Sequence, residues 1–93
     1  MIVSFRCVAT EQVYQGNSPP DLPADIQKVA LRKLQQLQIA IRLDDLRRPP
    51  GNRLEPLQGD RTGQHSIRIN DKFRLCFIWT ARGAEAVEIL DYH

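Results

Sequence analysis

The chain reads as one α+β domain, with an N-terminal strand and two helices packed on one face of a twisted antiparallel β-sheet. Three observations predict this. Apolar residues recur at spacings of four and three through the first half, the spacing changes to two in the second half, and tight-turn residues separate the alternating stretches. Helices followed by a meander of strands make a layered α+β arrangement, and 93 residues suffice for one modest core. A single domain over residues 1–93 is expected, without linker, repeat or low-complexity tract.

Residues 2–5 are predicted as a first strand, with Val3 and Phe5 on one face. Residues 7–15 suit a short helix, ended by Gly16-Asn17 and the Pro19-Pro20 pair. Residues 16–24, with three prolines, read as a plain connector. In the second helix Asp21 can cap, Pro23 is tolerated in the first turn, and Asp25 favours the positive end of the dipole. Ile26, Ala30, Leu34, Leu37 and Ile41 draw its apolar stripe, which Val29 and Leu31 widen; Lys28, Arg32, Gln35, Gln36 and Gln38 cover the remainder. Residues 44–48 add a turn before Pro49-Pro50-Gly51-Asn52. Residues 54–57 are a short extended piece that Pro56 makes an edge. Residues 65–70 alternate, with Ile67 and Ile69 inward and Arg68 outward. After the Asn70-Asp71-Lys72 turn, Phe73, Leu75, Phe77 and Trp79 point inward and Arg74, Cys76 and Ile78 opposite. Ala81-Arg82-Gly83 turns again, and residues 86–92 form the last strand. The second sheet face is expected to be open.

Hydrophobic content of 42% and charged content of 26% are those of an ordinary soluble globular protein. No apolar run approaches the roughly 18 residues of a membrane span. Met1 to Phe5, followed at once by Arg6, is too short for a signal peptide. A cytoplasmic location and no membrane partner are therefore expected. Cys7 and Cys76 form neither a disulfide framework nor a metal-ligand pattern, and read as buried thiols. No metal and no cofactor are expected.

Net charge is +2, unevenly spread. Residues 46–74 hold seven basic side chains (Arg47, Arg48, Arg53, Arg61, Arg68, Lys72, Arg74) against Glu55, Asp60 and Asp71. Six of the seven are arginines, whose planar fork grips phosphate oxygens in pairs. Arg74 faces Arg68 across the predicted hairpin, and opposed like charges are tolerated more easily where an anion sits between them. The chain then ends Asp91-Tyr92-His93. Imidazole gives and takes protons near neutrality, a phenol does so when cations lower its pKa, and a carboxylate can orient either an arginine or the imidazole. These groups suit the cleavage of RNA by its own 2′-hydroxyl.

Two stretches and the closing tripeptide carry a family likeness. Leu54-Glu55-Pro56-Leu57-Gln58-Gly59-Asp60-Arg61-Thr62-Gly63-Gln64-His65-Ser66-Ile67, then Phe73-Arg74-Leu75-Cys76-Phe77, and finally Asp91-Tyr92-His93 resemble the HigB branch of the RelE/ParE toxins, over essentially the full chain. The resemblance implies a toxin of a type II toxin–antitoxin pair, an endoribonuclease that cuts translated mRNA in the ribosomal 30S A site. It implies a HigA-like helix-turn-helix antitoxin as partner. By position, Arg74 matches the arginine at the scissile phosphate, His93 the terminal histidine, and Tyr92 and Asp91 its neighbours. Arg61, Gln58, Arg53 and Arg68 are the further phosphate- or RNA-binding candidates, with Asp91. Gln58 stands where many members have Lys, Glu55 where some have His, and Asn70 where some have a further Arg. His93 or Glu55 could then serve as general base, and His93 is favoured. Two alternatives remain: a ParE-like gyrase poison without enzymatic activity, or a binding module that has kept the fold and lost the chemistry.

Overall fold

The computed structural model describes residues 1–91; the expectations for Tyr92 and His93 lie outside the described residues. Helix α1 spans Val8–Tyr14 and α2 spans Ala24–Ile39, followed by a 3-10 turn over Leu43–Leu46. Strands β1 (Glu55–Pro56), β2 (His65–Arg68), β3 (Phe73–Thr80) and β4 (Gly83–Asp91) form one sheet in that order, each antiparallel to its neighbour. A second 3-10 turn, Gly59–Arg61, lies between β1 and β2. The α+β fold is the predicted one. Ile26, Ala30, Leu34 and Leu37 of α2 and Val13 of α1 pack with Ile67, Leu75, Phe77, Val87 and Ile89 of the sheet. Burying a large aliphatic or aromatic side chain of this kind contributes about 1.5–3 kcal/mol. Trp79 joins the same cluster, edge-on to Phe77 at 6.5 Å between ring centroids.

Two features of α2 depart from expectation. Pro23 occupies the cap position without a side-chain bond, and Asp21 makes none. The preceding loop is fixed instead by Gln27, whose Nε2 donates to the carbonyls of Pro19 (3.2 Å) and Leu22 (3.0 Å). At the other end the helix stops at Ile39, Ala40 turns extended, and Ile41 leaves the stripe, 86% exposed. Asp45 explains the stop: its carboxylate accepts the N–H groups of Ile41 and Arg42, both at 3.0 Å, and a side chain that captures backbone donors competes with continued helix.

Residues 2–5 are extended but not a regular strand. They run parallel to β4 through isolated bridges, Ile2 with Ala84 and Phe5 with Val87. The interruption lies in β4, where the pairing with β3 shifts register between Cys76 and Ile78 and Ala86 adopts φ 52°. This β-bulge inserts a residue, so Ala84, Val87 and Ile89 share the core instead of Ala84, Ala86 and Glu88. Ser4 Oγ accepts the displaced Ala86 N–H at 2.9 Å. Gly83 is required at the start of β4: its φ is +129°, and a Cβ there would lie 2.2 Å from the Met1 carbonyl oxygen, which accepts the Ala84 N–H.

Asn52, fully buried, joins three elements. Its side chain donates to Gln36 Oε1 and the Leu46 carbonyl, each at 3.1 Å, and accepts from Lys33 Nζ at 2.5 Å, while its carbonyl takes the Arg68 N–H at 2.6 Å.

Candidate functional site

Strand register sets the chemistry of the face away from the helices. Glu55, Ser66, Cys76 and Glu88 stand opposite one another in a row across all four strands, and Arg68, Arg74 and Leu90 form the next row. The face is not open as expected. Arg61 reaches from the turn between β1 and β2 to Glu88 on β4, donating from Nη1 to Glu88 Oε1 at 3.0 Å and to Gln64 Oε1 at 3.1 Å. Ser66, Cys76 and Glu88 are buried. Burial pushes the Cys76 thiol up to about 11 despite the opposing pull of Arg61 and Arg74, so at neutral pH it is not a nucleophile.

Arg74 is held in the sheet with its side chain 11% exposed. Its Nε donates to Ser66 Oγ at 2.7 Å and its Nη2 to the Arg53 carbonyl at 2.8 Å, with Glu55 Oε1 at 3.6 Å from Nη2. Arg53 sits at φ 47°, an uncommon conformation for a non-glycine residue, while its side chain is exposed. Arg68 and Arg74 are cross-strand partners as predicted. Arg68 turns to Asp71 as Arg74 turns to Ser66, so each guanidinium has its own acceptors.

Gln58 is exposed and precedes the 3-10 turn; its carbonyl accepts the Arg61 N–H at 3.3 Å. Asp91 stands opposite Phe73, on the other parity from Arg74, and its carboxylate lies 3.6 Å from Lys72 Nζ. Among the described residues the structure thus brings Glu55 and the Arg53 carbonyl to Arg74, pairs Arg68 with Arg74 across the strands, and sets Asp91 beside Lys72. Tyr92 and His93 lie outside the described residues. Ser66 and Glu88 were not singled out in the sequence. Ser66 could have been found from the register, since a small hydroxyl diagonal to an arginine on one sheet face can reach its Nε; Glu88 could not, because the bulge decides which way it points.

The model of the family described as RelE-like toxin of type II toxin-antitoxin system HigB matches residues 3–93. The chain belongs to the HigB-like toxin family. Toxin HigB-1 of Vibrio cholerae is 41% identical over 80 residues, covering 85% of this chain and 84% of the relative. An uncharacterized protein of Haemophilus influenzae is 36% identical over 74 residues, covering 78% and 73%. Among solved structures, the YoeB/ParE toxin from Agrobacterium tumefaciens superposes with a TM-score of 0.60 over 99% of this chain and 98% of that one, at 16% identity, a likeness of fold alone. As a type II toxin, this HigB-like chain has an antitoxin as its partner. No helix of the described residues is long and apolar enough to cross a membrane.

Proposed function

We propose that this HigB-like toxin is a ribosome-dependent endoribonuclease that cuts translated mRNA in the A site and so inhibits translation in the cytoplasm. The observation that carries the reading is Arg74, a guanidinium held through Nε by Ser66 on a sheet face shared with Arg68. Arg74 grips the scissile phosphate and offsets charge on the phosphorane, a contribution that preorganised cations make most strongly. Arg53 and Arg68 add positive potential along the RNA backbone, and Gln58 offers a neutral hydrogen bond where relatives carry lysine.

His93 takes the proton from the 2′-hydroxyl as that oxygen bonds to phosphorus. The bond from phosphorus to the 5′-oxygen then breaks, and the leaving oxygen receives the proton back from the imidazolium. The products are a 2′,3′-cyclic phosphate and a 5′-hydroxyl, with no change of oxidation state. Tyr92 and Asp91 orient the imidazole. Such positioned proton transfer contributes roughly 10²- to 10⁴-fold.

The test is primer extension on mRNA from cells that lack the antitoxin and express the wild type or Arg74→Ala. In-frame cuts within translated codons, lost in the variant, are expected. Growth arrest without cuts would replace the nuclease with a gyrase-type poison, and neither cuts nor arrest would leave a binding module.

A further inference from the structure

We infer that Glu88 is a positioning residue for the proposed cleavage, acting through Arg61, and that Arg61 is a strut across the sheet, not a ligand of the phosphate; this rests on the nuclease reading above. Glu88 lies in the middle of β4 with its side chain 11% exposed, beside the buried Cys76. A carboxylate removed from water is costly unless it is paired. Glu88 has Arg61 at 3.0 Å, with Arg6 Nε at 3.8 Å on the same oxygen.

If Arg61 left to hold a phosphate, Glu88 would lose its near partner while still buried. The same guanidinium nitrogen that meets Glu88 also donates to Gln64 Oε1, and Gln64 is tied in turn by its N–H to the Arg61 carbonyl at 3.0 Å and by its own carbonyl to the Leu57 N–H at 2.8 Å. The loop from Leu57 to Gln64, which presents Gln58, is therefore clamped onto the sheet from β4. The placement of Gln58 over the sheet face thus depends on an ion pair that spans β2 and β3. Through Nη1, Arg61 does its work as a fixed counter-charge to Glu88.

A charge reversal separates strut from ligand. Single-turnover cleavage of mRNA on programmed ribosomes is measured for the wild type, Arg61→Glu, Glu88→Arg and the double variant carrying both, each with a urea midpoint to report folding. Each single reversal is expected to slow the cleavage step by about 100-fold, the size of loss that misplacement of a site produces, with ribosome affinity unchanged. The double variant should recover to within about tenfold of the wild type, because the pair is restored in the opposite sense. A folded double variant as slow as Arg61→Glu alone would overturn the strut and make Arg61 a phosphate ligand; full activity of Arg61→Glu would overturn it as well. Should the double variant not fold, Glu88→Gln decides. It keeps an acceptor for Arg61 without the charge, and should lower the cleavage rate by about tenfold at unchanged affinity, the scale of one weakened charge-assisted bond. An unchanged rate there overturns the proposal. A wild type that makes no cuts removes the nuclease reading and this inference together, whereas a cutting wild type with an unrescued double variant removes this inference alone.

Discussion

Ser66 and Arg74 are joined diagonally across β2 and β3, with the Ser66 hydroxyl accepting the Arg74 Nε–H at 2.7 Å. The bond fixes the plane of the guanidinium, which also donates to the Arg53 carbonyl. Ser66→Ala removes that restraint. Hydrogen bonds to charged groups contribute about 1.5–3 kcal/mol, so cleavage on programmed ribosomes should fall about tenfold or more. The urea midpoint should fall as well, by the equivalent of about 1–3 kcal/mol, because the methyl group withdraws this acceptor from the Arg74 Nε–H. Wild-type rates in Ser66→Ala would mean that Arg74 needs no such support.

Asn52 is the buried polar joint of α2, the first 3-10 turn and β2. Asn52→Ala strips partners from Lys33, Gln36 and the Leu46 carbonyl at once. Lys33 suffers most, since burial already lowers its pKa, with Arg32 and Arg68 adding to the effect. A loss of about 2–4 kcal/mol in unfolding free energy is expected from urea titration, with each unsatisfied buried group accounting for about 1–3. A change below about 0.5 kcal/mol would show that Lys33 finds another acceptor.

Backbone strain at the bulge gives a prediction of opposite sign. Ala86 holds φ 52°, where a Cβ is unfavourable and glycine is at ease. Ala86→Gly is expected to raise stability by about 0.5–1 kcal/mol, even though the same change in an ordinary strand would lower it. At Gly83 the argument reverses, because Gly83→Ala drives a Cβ against the Met1 carbonyl and detaches the N-terminal segment from β4. Thermal unfolding of the two variants should bracket the wild type, one above it and one below.

His65 stacks on Phe77 at 6.4 Å, with Nδ1 buried and no hydrogen-bond partner among the described residues. Burial, and secondarily Arg47, hold its pKa below the ordinary 6.5. The unfolded chain therefore takes up this proton first as pH falls. The contribution of His65 to stability is complete above about 6.5 and is lost as pH drops through the folded-state value. His65→Phe keeps the stack and removes the titration. Between about pH 7 and pH 5 the urea midpoint of the wild type should decline more steeply than that of His65→Phe, and parallel slopes would show that His65 carries no linkage.

The order of helices and strands, the core residues of α2 and the Arg68–Arg74 pairing were all legible in the chain itself. They rest on periodicity and turn chemistry, which act between residues close in sequence. The four candidate arginines, Arg53, Arg61, Arg68 and Arg74, stand within one basic segment, and the family was legible in three separated pieces taken together, residues 54–67, 73–77 and 91–93. What the sequence could not decide was set by contacts between distant segments. Ser4 reaches Ala86 from 82 residues away. The bulge it supports turns Val87 inward and Glu88 outward, where strict alternation would have reversed them. Only then does Glu88 meet Arg61 from 27 residues away and close over a face that the local pattern leaves open. Hydrophobic periodicity reports which side of an element is buried. Register, bulges and buried ion pairs depend on what the rest of the chain places opposite, and that is determined only when the sheet has assembled.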